Sequence, residues 1–267
     1  MYPTKGPALL LSKLRSVNPL VQNITNFVAM DFAANALLAL GASPAMVHAK
    51  EEVADFMQIA SALTVNIGTL SPTWVEGMER AITAAQGAGK PWVFDPVGVG
   101  ATAYRTTVAK RFTDMKPTVL RGNASEIMTL AGVGGVASKG VDSTRPSNEA
   151  EIPAKEFASR LGITVVVTGP IDIVTDGRRV LRIANGHSMM PRVTALGCGL
   201  TAVIGAFLAI EKDAVVAAAA GTAIYGLAGE IAAAQAKGPG SLRVLLLDAL
   251  YNLDEATVEK QIKIEEA

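Results

Sequence analysis

The chain has 267 residues, half of them hydrophobic, and its 24 basic and 24 acidic side chains give a formal net charge of zero. A neutral chain without long runs of like charge gives no indication of nucleic-acid binding, and one cysteine excludes an internal disulfide bond and a thiolate-rich metal site. The apolar run near the N-terminus is too short for a signal peptide, so we expect a cytoplasmic protein.

Apolar or β-branched runs of strand length alternate with helical patterns along most of the chain. Strands are predicted at residues 19–24, 44–48, 63–67, 91–94, 118–120 and 164–168. Helices are predicted at residues 8–15, 29–40, 51–62, 72–86, 107–114, 125–130 and 149–161. This alternation is typical of βαβ units and predicts an α/β fold with a mostly parallel central sheet flanked by helices.

A hairpin interrupts the alternation after the sixth strand. Its two strand-like runs, residues 171–175 and 178–183, are joined by Asp176-Gly177, a dipeptide typical of two-residue hairpin turns. We expect this hairpin at an edge of the sheet. Three helical segments then complete the chain, followed by a charged tail from Asp254.

The longest apolar runs, residues 200–210 and 214–229, are shorter than the roughly 18 residues that indicate a membrane span. They are therefore predicted as core helices, with no membrane contact. Residues 132–148 lack periodicity and are a candidate mobile loop. No internal repeat or change of composition marks a boundary, so residues 1–267 are expected to form a single domain.

Residues 193–209 contain a turn of small residues that leads into an apolar helix. Gly197 and Gly199 flank Cys198 at the expected first turn. A helix N-terminus has unpaired N–H groups and partial positive charge, so this turn is predicted to bind an anion and to lower the pKa of the thiol. The alternative is that Cys198 is a small buried hydrophobic residue, as most free cysteines are.

The predicted strands end in side chains suited to ligand binding. In open parallel sheets, ligands bind beyond the carboxyl ends of the strands. The candidates are Asn23, Thr25, Asn26, Met46, Asp95, Arg121, Asn123, Glu126 and Thr168. We expect them to share one edge of the sheet with the turn before Cys198.

Three charged residues of this set each have two interpretations. Asp95 precedes a proline after an apolar strand, so it either binds Mg²⁺ together with phosphate oxygens or begins a turn. Glu126 has the capping-box spacing from Asn123, so it closes a helix N-terminus or binds metal. Arg121 either pairs with phosphate oxygens or is solvated.

Other motifs suggest further alternatives. A thiol hydrolase requires a base near Cys198, and His187 is a candidate. The P-loop motif is absent, since Lys90 is followed by Pro91. Residues 98–103 match the looser dinucleotide fingerprint, but no acidic residue follows at a strand end about twenty residues later.

Ordered blocks over nearly the whole chain resemble the hydroxyethylthiazole kinases, thiamine-salvage members of the ribokinase-like superfamily. The blocks are PLVQNITNFV, LLALGASPAM, KEEVADF, NIGTL, DPVGVGA, RGNASEI, KGVDS and the turn before Cys198. The resemblance implies a three-layer ribokinase-like fold without a lid subdomain. It also implies a homotrimer with sites at subunit interfaces.

The resemblance further implies transfer of the ATP γ-phosphate to the hydroxyl of 4-methyl-5-(2-hydroxyethyl)thiazole, with Mg²⁺. Cys198 matches the catalytic position, which is an aspartate base in the wider superfamily. The remaining implied roles are thiazole binding by Met46, Ala195 and Asn23, ATP binding by Arg121, Thr168 and Gly197, and metal binding by Asp95 and Glu126. The Gly197 to Gly199 N–H groups are expected to form an anion hole.

One departure from the family pattern concerns the turn itself. The usual Gly-x-Gly-Cys is Ala195-Leu196-Gly197-Cys198 here, and a Cβ at Ala195 restricts positive φ and the close approach of a ligand. Two alternatives are therefore kept. One is another small-alcohol kinase, such as a hydroxymethylpyrimidine or pyridoxal kinase, and the other is a non-catalytic nucleotide-binding sensor.

Overall fold

The computed structural model describes residues 5–133 and 147–267. Nine strands of this part form one sheet in the order β2-β1-β3-β4-β5-β6-β7-β8-β9. The strands are β1 (Leu20–Ile24), β2 (Ser43–Ala45), β3 (Ala62–Asn66), β4 (Trp92–Asp95), β5 (Val119–Asn123), β6 (Thr164–Thr168), β7 (Asp172–Thr175), β8 (Val180–Ile183) and β9 (Ile264–Glu266). Strands β1 to β6 pair in parallel, and β7 to β9 continue the sheet in antiparallel pairing.

Helices cover both faces of the sheet. They are α1 (Lys5–Val17), α2 (Met30–Leu40), α3 (Val53–Ile59), α4 (Pro72–Gly87), α5 (Ala103–Asp114), α6 (Ala124–Ala131), α7 (Glu151–Leu161), α8 (Leu196–Leu208), α9 (Ala214–Gln235), α10 (Pro239–Asn252) and α11 (Glu255–Gln261). Neighbouring strand residues enter opposite cores: Val93 packs with α8 and α9, whereas Phe94 packs with α4 and α5. The period of two along each strand thus gives the three-layer α/β fold, as the sequence predicted.

The predicted hairpin is confirmed as β7 and β8. The carboxylate of Asp176 accepts hydrogen bonds from the backbone N–H groups of Arg178 at 2.9 Å and Arg179 at 2.8 Å, which fixes the turn. The Arg179 side chain also pairs with Asp213 at the start of α9, at 2.7 Å. The hairpin is therefore tied to the helix layer, and it continues the central sheet.

The predicted position of the hairpin at the edge of the sheet was wrong. The charged tail forms α11 and β9, and β9 pairs with β8, so the hairpin does not lie at the edge of the sheet. Asp254 caps α11 by accepting a hydrogen bond from the N–H of Thr257 at 2.8 Å. Val258 and Ile262, four residues apart, are buried in the core and hold this segment against it. The predicted loop at residues 132–148 lies mostly outside the described residues.

Helix α9 is longer than the apolar run predicted, and its 22 residues are enough to cross a membrane by length and composition alone. In the most apolar 18-residue window, however, 78% of the residues are buried inside the protein. The helix packs between α8 and α10. Its hydrophobicity is thus accounted for by its place in the core, which is the position that the sequence predicted.

Helix α8 crosses the sheet closely because Gly205 has no side chain. A Cβ at Gly205 would lie 2.6 Å from Cγ2 of Thr64 and 3.4 Å from Cγ1 of Val21. Thr64 has little freedom to move away, because its hydroxyl donates to the buried Oδ1 of Asn23 at 2.6 Å. The position of α8 over β1 and β3 therefore depends on this glycine.

We expect Gly205→Ala to lower the free energy of unfolding by about 1 to 3 kcal/mol, because overpacking forces α8 away from the sheet. Gly87→Ala is the matched control, since Gly87 also lies in a helix but nothing is within 4 Å of its added Cβ. The control should be neutral or slightly stabilising. Chemical denaturation measures both, and equal stabilities for the two variants would contradict this account of the packing.

Candidate active site

The polar residues of the site come from the same face of neighbouring parallel strands. Asn66 ends β3, Asp95 ends β4 and lies beside Asn66 in register, and Arg121 lies near the end of β5. This face is covered by α8, whose Thr201 donates a hydrogen bond to Asp95 at 2.8 Å. Strand ends and the first turns of α8 thus meet at the carboxyl edge of the sheet, as expected from the sequence.

Asp95 is fully buried, and its two carboxylate oxygens differ in their hydrogen bonding. Oδ2 accepts hydrogen bonds from Asn66 Nδ2 at 2.8 Å and from Thr201 Oγ1 at 2.8 Å, and it lies 3.4 Å from Arg121 Nη1. Oδ1 is buried without a hydrogen-bond partner in the described chain. Burial raises the pKa of Asp95, and Arg121 and the donated hydrogen bonds only partly oppose this effect.

Arg121 extends from β5 toward the first turn of α8. Its Nη2 donates to Thr168 Oγ1 at 3.0 Å, and a Cβ at Gly197 would lie 2.8 Å from the same nitrogen. Gly197 is therefore needed for this contact. Burial disfavours the charged guanidinium, but the surrounding acidic groups together outweigh burial, with Asp95 the largest contributor, so the pKa of Arg121 is raised. Its Nε is buried without a partner among the described residues, so the permanent cation has a donor left for a ligand.

Asp172, at the start of β7, is a carboxylate close enough to interact with the charge of Arg121, and it was not among the predicted candidates. Its Oδ1 accepts a hydrogen bond from the N–H of Gly169 at 2.9 Å, which closes the turn after β6. Burial raises the pKa of Asp172 to about 7, against the opposing effects of the Gly169 hydrogen bond and of Arg121. The residue could not be found from strand ends, because it begins a strand.

The turn before α8 has the geometry of an anion site. Ala195 precedes the helix with φ 68° and ψ 0°, and it provides no side-chain cap. The N–H of Gly199 donates to the carbonyl of Ala195 at 2.8 Å, so the N–H groups before it have no intrahelical partner. The Cβ of Ala195 was expected to restrict positive φ, and the residue nevertheless adopts positive φ.

The predicted lowering of the Cys198 pKa was wrong. Burial, reinforced by the negative charge of Asp95, raises the pKa of the thiol to about 11, and Arg121 opposes this only in part. The sulfur accepts a hydrogen bond from Asn26 Nδ2 at 3.3 Å. Cys198 is therefore a neutral, half-buried thiol at neutral pH.

Two asparagines connect the thiol with Asp95. Asn26 Nδ2 also donates to Asn66 Oδ1 at 2.9 Å, and Asn66 in turn donates to Asp95. Asn26 belonged to the set of strand-end candidates but was given no role, and neither Asn66 nor Thr201 was considered. Both could have been suspected, because Asn66 is a polar residue in an apolar strand and Thr201 lies one helical turn after Gly197.

Glu126 closes the N-terminus of α6, as one of its two interpretations predicted. Its Oε2 accepts from the N–H of Asn123 at 2.8 Å, Asn123 accepts from the N–H of Glu126 at 3.0 Å, and Oε1 accepts from the N–H of Gly98 at 2.8 Å. Burial and the nearby charge of Asp95 raise the pKa of Glu126 to about 7. The capping box is confirmed, and metal binding remains a prediction.

The structure separates other candidates from the cluster. Asn23 is buried within the sheet, where Nδ2 donates to the carbonyl of Val21 at 2.9 Å and Oδ1 accepts from Thr64. Asn26, rather than Asn23, contacts Cys198. Met46 follows β2 and packs against the core on the α8 side of the sheet.

The Cys-His alternative has no structural support. His187 is exposed, and its Nδ1 accepts a hydrogen bond from the N–H of Met189 at 3.2 Å. His48 stacks on Trp74 with ring centroids 4.7 Å apart. Neither histidine is arranged as a base for the thiol.

Comparisons with known proteins define first the class and then the family. A ribokinase-like superfamily protein from Enterococcus faecalis V583 shares the fold, with a TM-score of 0.65 and 13% identity over 90% of this chain and 89% of that one. The two chains therefore share one fold class.

The family follows from closer matches. The family model described as the hydroxyethylthiazole kinase family matches residues 11–256. The hydroxyethylthiazole kinase of Cereibacter sphaeroides strain ATCC 17029 is 55% identical over 98% of this chain and 99% of its own length. A hydroxyethylthiazole kinase structure from Pyrococcus horikoshii OT3 has a TM-score of 0.91 and 41% identity, with 98% of each chain covered. The chain belongs to the hydroxyethylthiazole kinase family and is a kinase.

We expect Ala195→Gly to raise the free energy of unfolding by about 0.5 to 1 kcal/mol, because glycine adopts positive φ without the steric cost of a Cβ. Ala209→Gly is the matched control at the other end of α8, where φ is −64° and glycine gives no relief. It should be neutral or destabilising. Chemical denaturation measures both changes, and a loss of stability in Ala195→Gly would show that residue 195 is not strained.

The raised pKa of Glu126 makes stability depend on pH in ligand-free protein. The folded state binds the Glu126 proton more tightly than the unfolded state does, so protonation of Glu126 stabilises the fold. This contribution to the free energy of unfolding is fully present below pH 4.5 and is lost as pH rises through about 7. From pH 5 to pH 8, we expect the wild type to lose about 2 kcal/mol of stability relative to Glu126→Gln.

The control for this titration is Glu76→Gln. The hydrogen bond with Lys50 lowers the pKa of Glu76 in the folded state. The ionised Glu76 side chain therefore stabilises the fold above its unfolded pKa, and this stabilisation is lost as pH falls. Urea denaturation across this pH range measures both differences. If the wild type gained stability over Glu126→Gln as pH rises, the Glu126 assignment would be wrong.

Proposed function

We propose that this chain transfers the γ-phosphoryl group of ATP to the hydroxyl of 4-methyl-5-(2-hydroxyethyl)thiazole, in salvage of a thiamine precursor. The observation that carries the proposal is the pair of buried polar atoms without partners, Asp95 Oδ1 and Arg121 Nε. They lie where two strands meet the first turns of α8, in a member of the hydroxyethylthiazole kinase family. Such atoms are stabilised when a polar ligand binds.

Arg121, Thr168 and Gly197 are proposed to bind the phosphates of ATP. The guanidinium provides a permanent positive charge, and Gly197 lets the α8 turn approach it. The free N–H groups of this turn are donors for an anion. Because charge is spread over the transferring group in a loose transition state, fixed donors at this point stabilise it.

Met46 and Ala195 are proposed to form the thiazole side of the site, together with Asn26 in place of the predicted Asn23. The structure favours Asn26 for the polar contact nearest the thiol, because the Asn23 amide is already hydrogen-bonded within the sheet. Cys198 would orient the substrate hydroxyl through a hydrogen bond. With a pKa near 11 the thiol is not a strong base in the ligand-free protein, and a loose transition state depends chiefly on orientation.

Asp95 and Glu126 are proposed to hold Mg²⁺. Oδ1 of Asp95 fits, because Mg²⁺ uses one or two carboxylates together with phosphate oxygens and water. Within the described ranges, no three His, Cys, Asp or Glu residues form a metal-binding group, so most ligands would come from ATP and solvent. Each Glu126 carboxylate oxygen accepts one backbone hydrogen bond. Each oxygen therefore has a further lone pair with which it could bind the metal ion. When bound, Mg²⁺ neutralises phosphate charge.

The whole chain is proposed to act as a single cytoplasmic domain that assembles into a homotrimer with sites at subunit interfaces. One sheet contains strands from residue 20 to residue 266, which supports a single domain. Phe27 and Val28 follow Asn26 at the edge of the site and are 68% and 57% exposed. An apolar surface beside a site that must exclude water supports its coverage by a neighbouring subunit.

The substrate is tested by ADP release with hydroxyethylthiazole, hydroxymethylpyrimidine, pyridoxal and no alcohol. Turnover that is highest with hydroxyethylthiazole and requires Mg²⁺ supports the proposal. Preference for another alcohol would identify a different small-alcohol kinase. Nucleotide binding without alcohol-dependent ADP release would instead identify a sensor, and it would contradict the proposal.

Substitution of Cys198 tests the role of the thiol. We expect Cys198→Ala to lower kcat about tenfold or more, because the hydrogen bond that orients the substrate hydroxyl is lost. Cys198→Asp should retain activity, because aspartate can both orient the hydroxyl and accept its proton. Steady-state assays at saturating ATP measure both variants. Wild-type activity in Cys198→Ala would exclude the proposed role of the thiol.

A further inference from the structure

The segment that leads into α8, residues 184–195, lies directly on α9. Two glycines of α9 make this approach possible. A Cβ at Gly226 would lie 2.6 Å from the carbonyl oxygen of Asn185, and a Cβ at Gly229 would overlap the sulfur of Met190. The segment therefore rests on the backbone of α9 before it reaches the anion turn.

Polar contacts fix the start of this segment. Glu230, the residue after Gly229, accepts hydrogen bonds from the N–H of Gly186 at 3.0 Å and from Lys263 Nζ at 2.9 Å. The buried Asn185 accepts a hydrogen bond from the N–H of Lys263 at 2.7 Å. The segment is thus anchored at Asn185 and Gly186, about nine residues before Ala195, to α9 and to Lys263 between α11 and β9.

Tyr225, immediately before Gly226, reaches the other end of the segment. Its side chain is buried, and its hydroxyl donates a hydrogen bond to the carbonyl of Leu196, the first residue of α8, at 2.9 Å. A Cβ at Gly199 would lie 2.9 Å from the hydroxyl oxygen of Tyr225 and 2.7 Å from Cε1 of Phe32. The first turn of α8 is therefore held between two aromatic rings.

This contact acts on the same turn whose N–H groups are proposed to bind phosphate. Burial raises the pKa of Tyr225 well above 10, so the hydroxyl remains a donor over the working pH range. Ala195 occupies positive φ without a side-chain cap, so no capping side chain at Ala195 fixes the turn. A donor from another helix supplies the missing constraint.

We infer that Tyr225 is a positioning residue for phosphoryl transfer: its hydrogen bond to the Leu196 carbonyl holds the first turn of α8, with Gly197 and Cys198, in the geometry that receives the transferring group. The inference rests on the proposed function. Donors placed by the protein stabilise charge that develops in the transition state more than they stabilise bound ATP. Loss of the Tyr225 hydroxyl should therefore affect kcat more than the KM for ATP.

The kinetic test is Tyr225→Phe in the full chain, which removes one oxygen and keeps the ring. We expect kcat to fall about tenfold, the change that corresponds to one displaced hydrogen-bonding group, while the KM for ATP changes less than about twofold. Thr113→Val is the matched control, because the buried Thr113 hydroxyl donates to the carbonyl of Ala109 at 2.8 Å in α5. It removes a buried hydrogen bond outside the site and should leave kcat unchanged.

A second measurement does not depend on activity. Cys198 is the single cysteine of the chain, so its alkylation by iodoacetamide reports on the first turn of α8. In folded protein at pH 9, we expect Tyr225→Phe to react about threefold faster than wild type, because the turn is less restrained, and Thr113→Val to react as wild type does.

The two measurements separate the possible failures. If wild-type protein does not phosphorylate hydroxyethylthiazole, the proposed function is wrong, and alkylation alone decides the role of Tyr225. If Cys198 in Tyr225→Phe is alkylated at the same rate as in the wild type, the inference is overturned. In an active enzyme, an unchanged kcat in Tyr225→Phe, or an equal fall in Thr113→Val, would also overturn it.

Discussion

Burying the Asp95 carboxylate at the end of β4 costs free energy that donors around it must offset. Asn66, Thr201 and Arg121 provide these donors, and each comes from a different element. All of them approach Oδ2, so Oδ1 remains buried without a partner in the described chain. The carboxylate thus links β3, β5 and α8, and its second oxygen is the one proposed to bind a ligand. Stability and binding depend on the same charge.

The asymmetry of Asp95 extends through the site. Asn66 connects its carboxylate with Asn26 and hence with the thiol of Cys198, while Arg121 connects it with Thr168 on the nucleotide side. The substrate hydroxyl and the transferring phosphate are therefore proposed to meet beside one buried anion, with the hydroxyl on the Cys198 side and the phosphate on the Arg121 side. Burial, reinforced by the negative charge of Asp95, also explains why the pKa values of Cys198 and Glu126 are higher than those of isolated side chains.

Local patterns in the sequence were sufficient for much of the fold. Alternating apolar strands and helical periods predicted the parallel sheet, and the spacing of Asn123 and Glu126 predicted a capping box that is present. The pKa of Cys198 was predicted wrongly, because it depends on burial and on Asp95, which is distant in sequence. The C-terminal strand was missed because the pairing of β9 with β8 is a long-range contact of a charged segment. A local sequence pattern gives no information about charges or strands that are distant in sequence, so these two features could not be predicted from it.

The raised pKa of Cys198 has a consequence for oxidative chemistry. Peroxides and electrophiles react with thiolates, and a thiol with a pKa near 11 is almost entirely protonated at neutral pH. The half-buried position and the Asn26 contact further limit access to the sulfur. The cysteine in the centre of this site is therefore a poor target for oxidants at neutral pH.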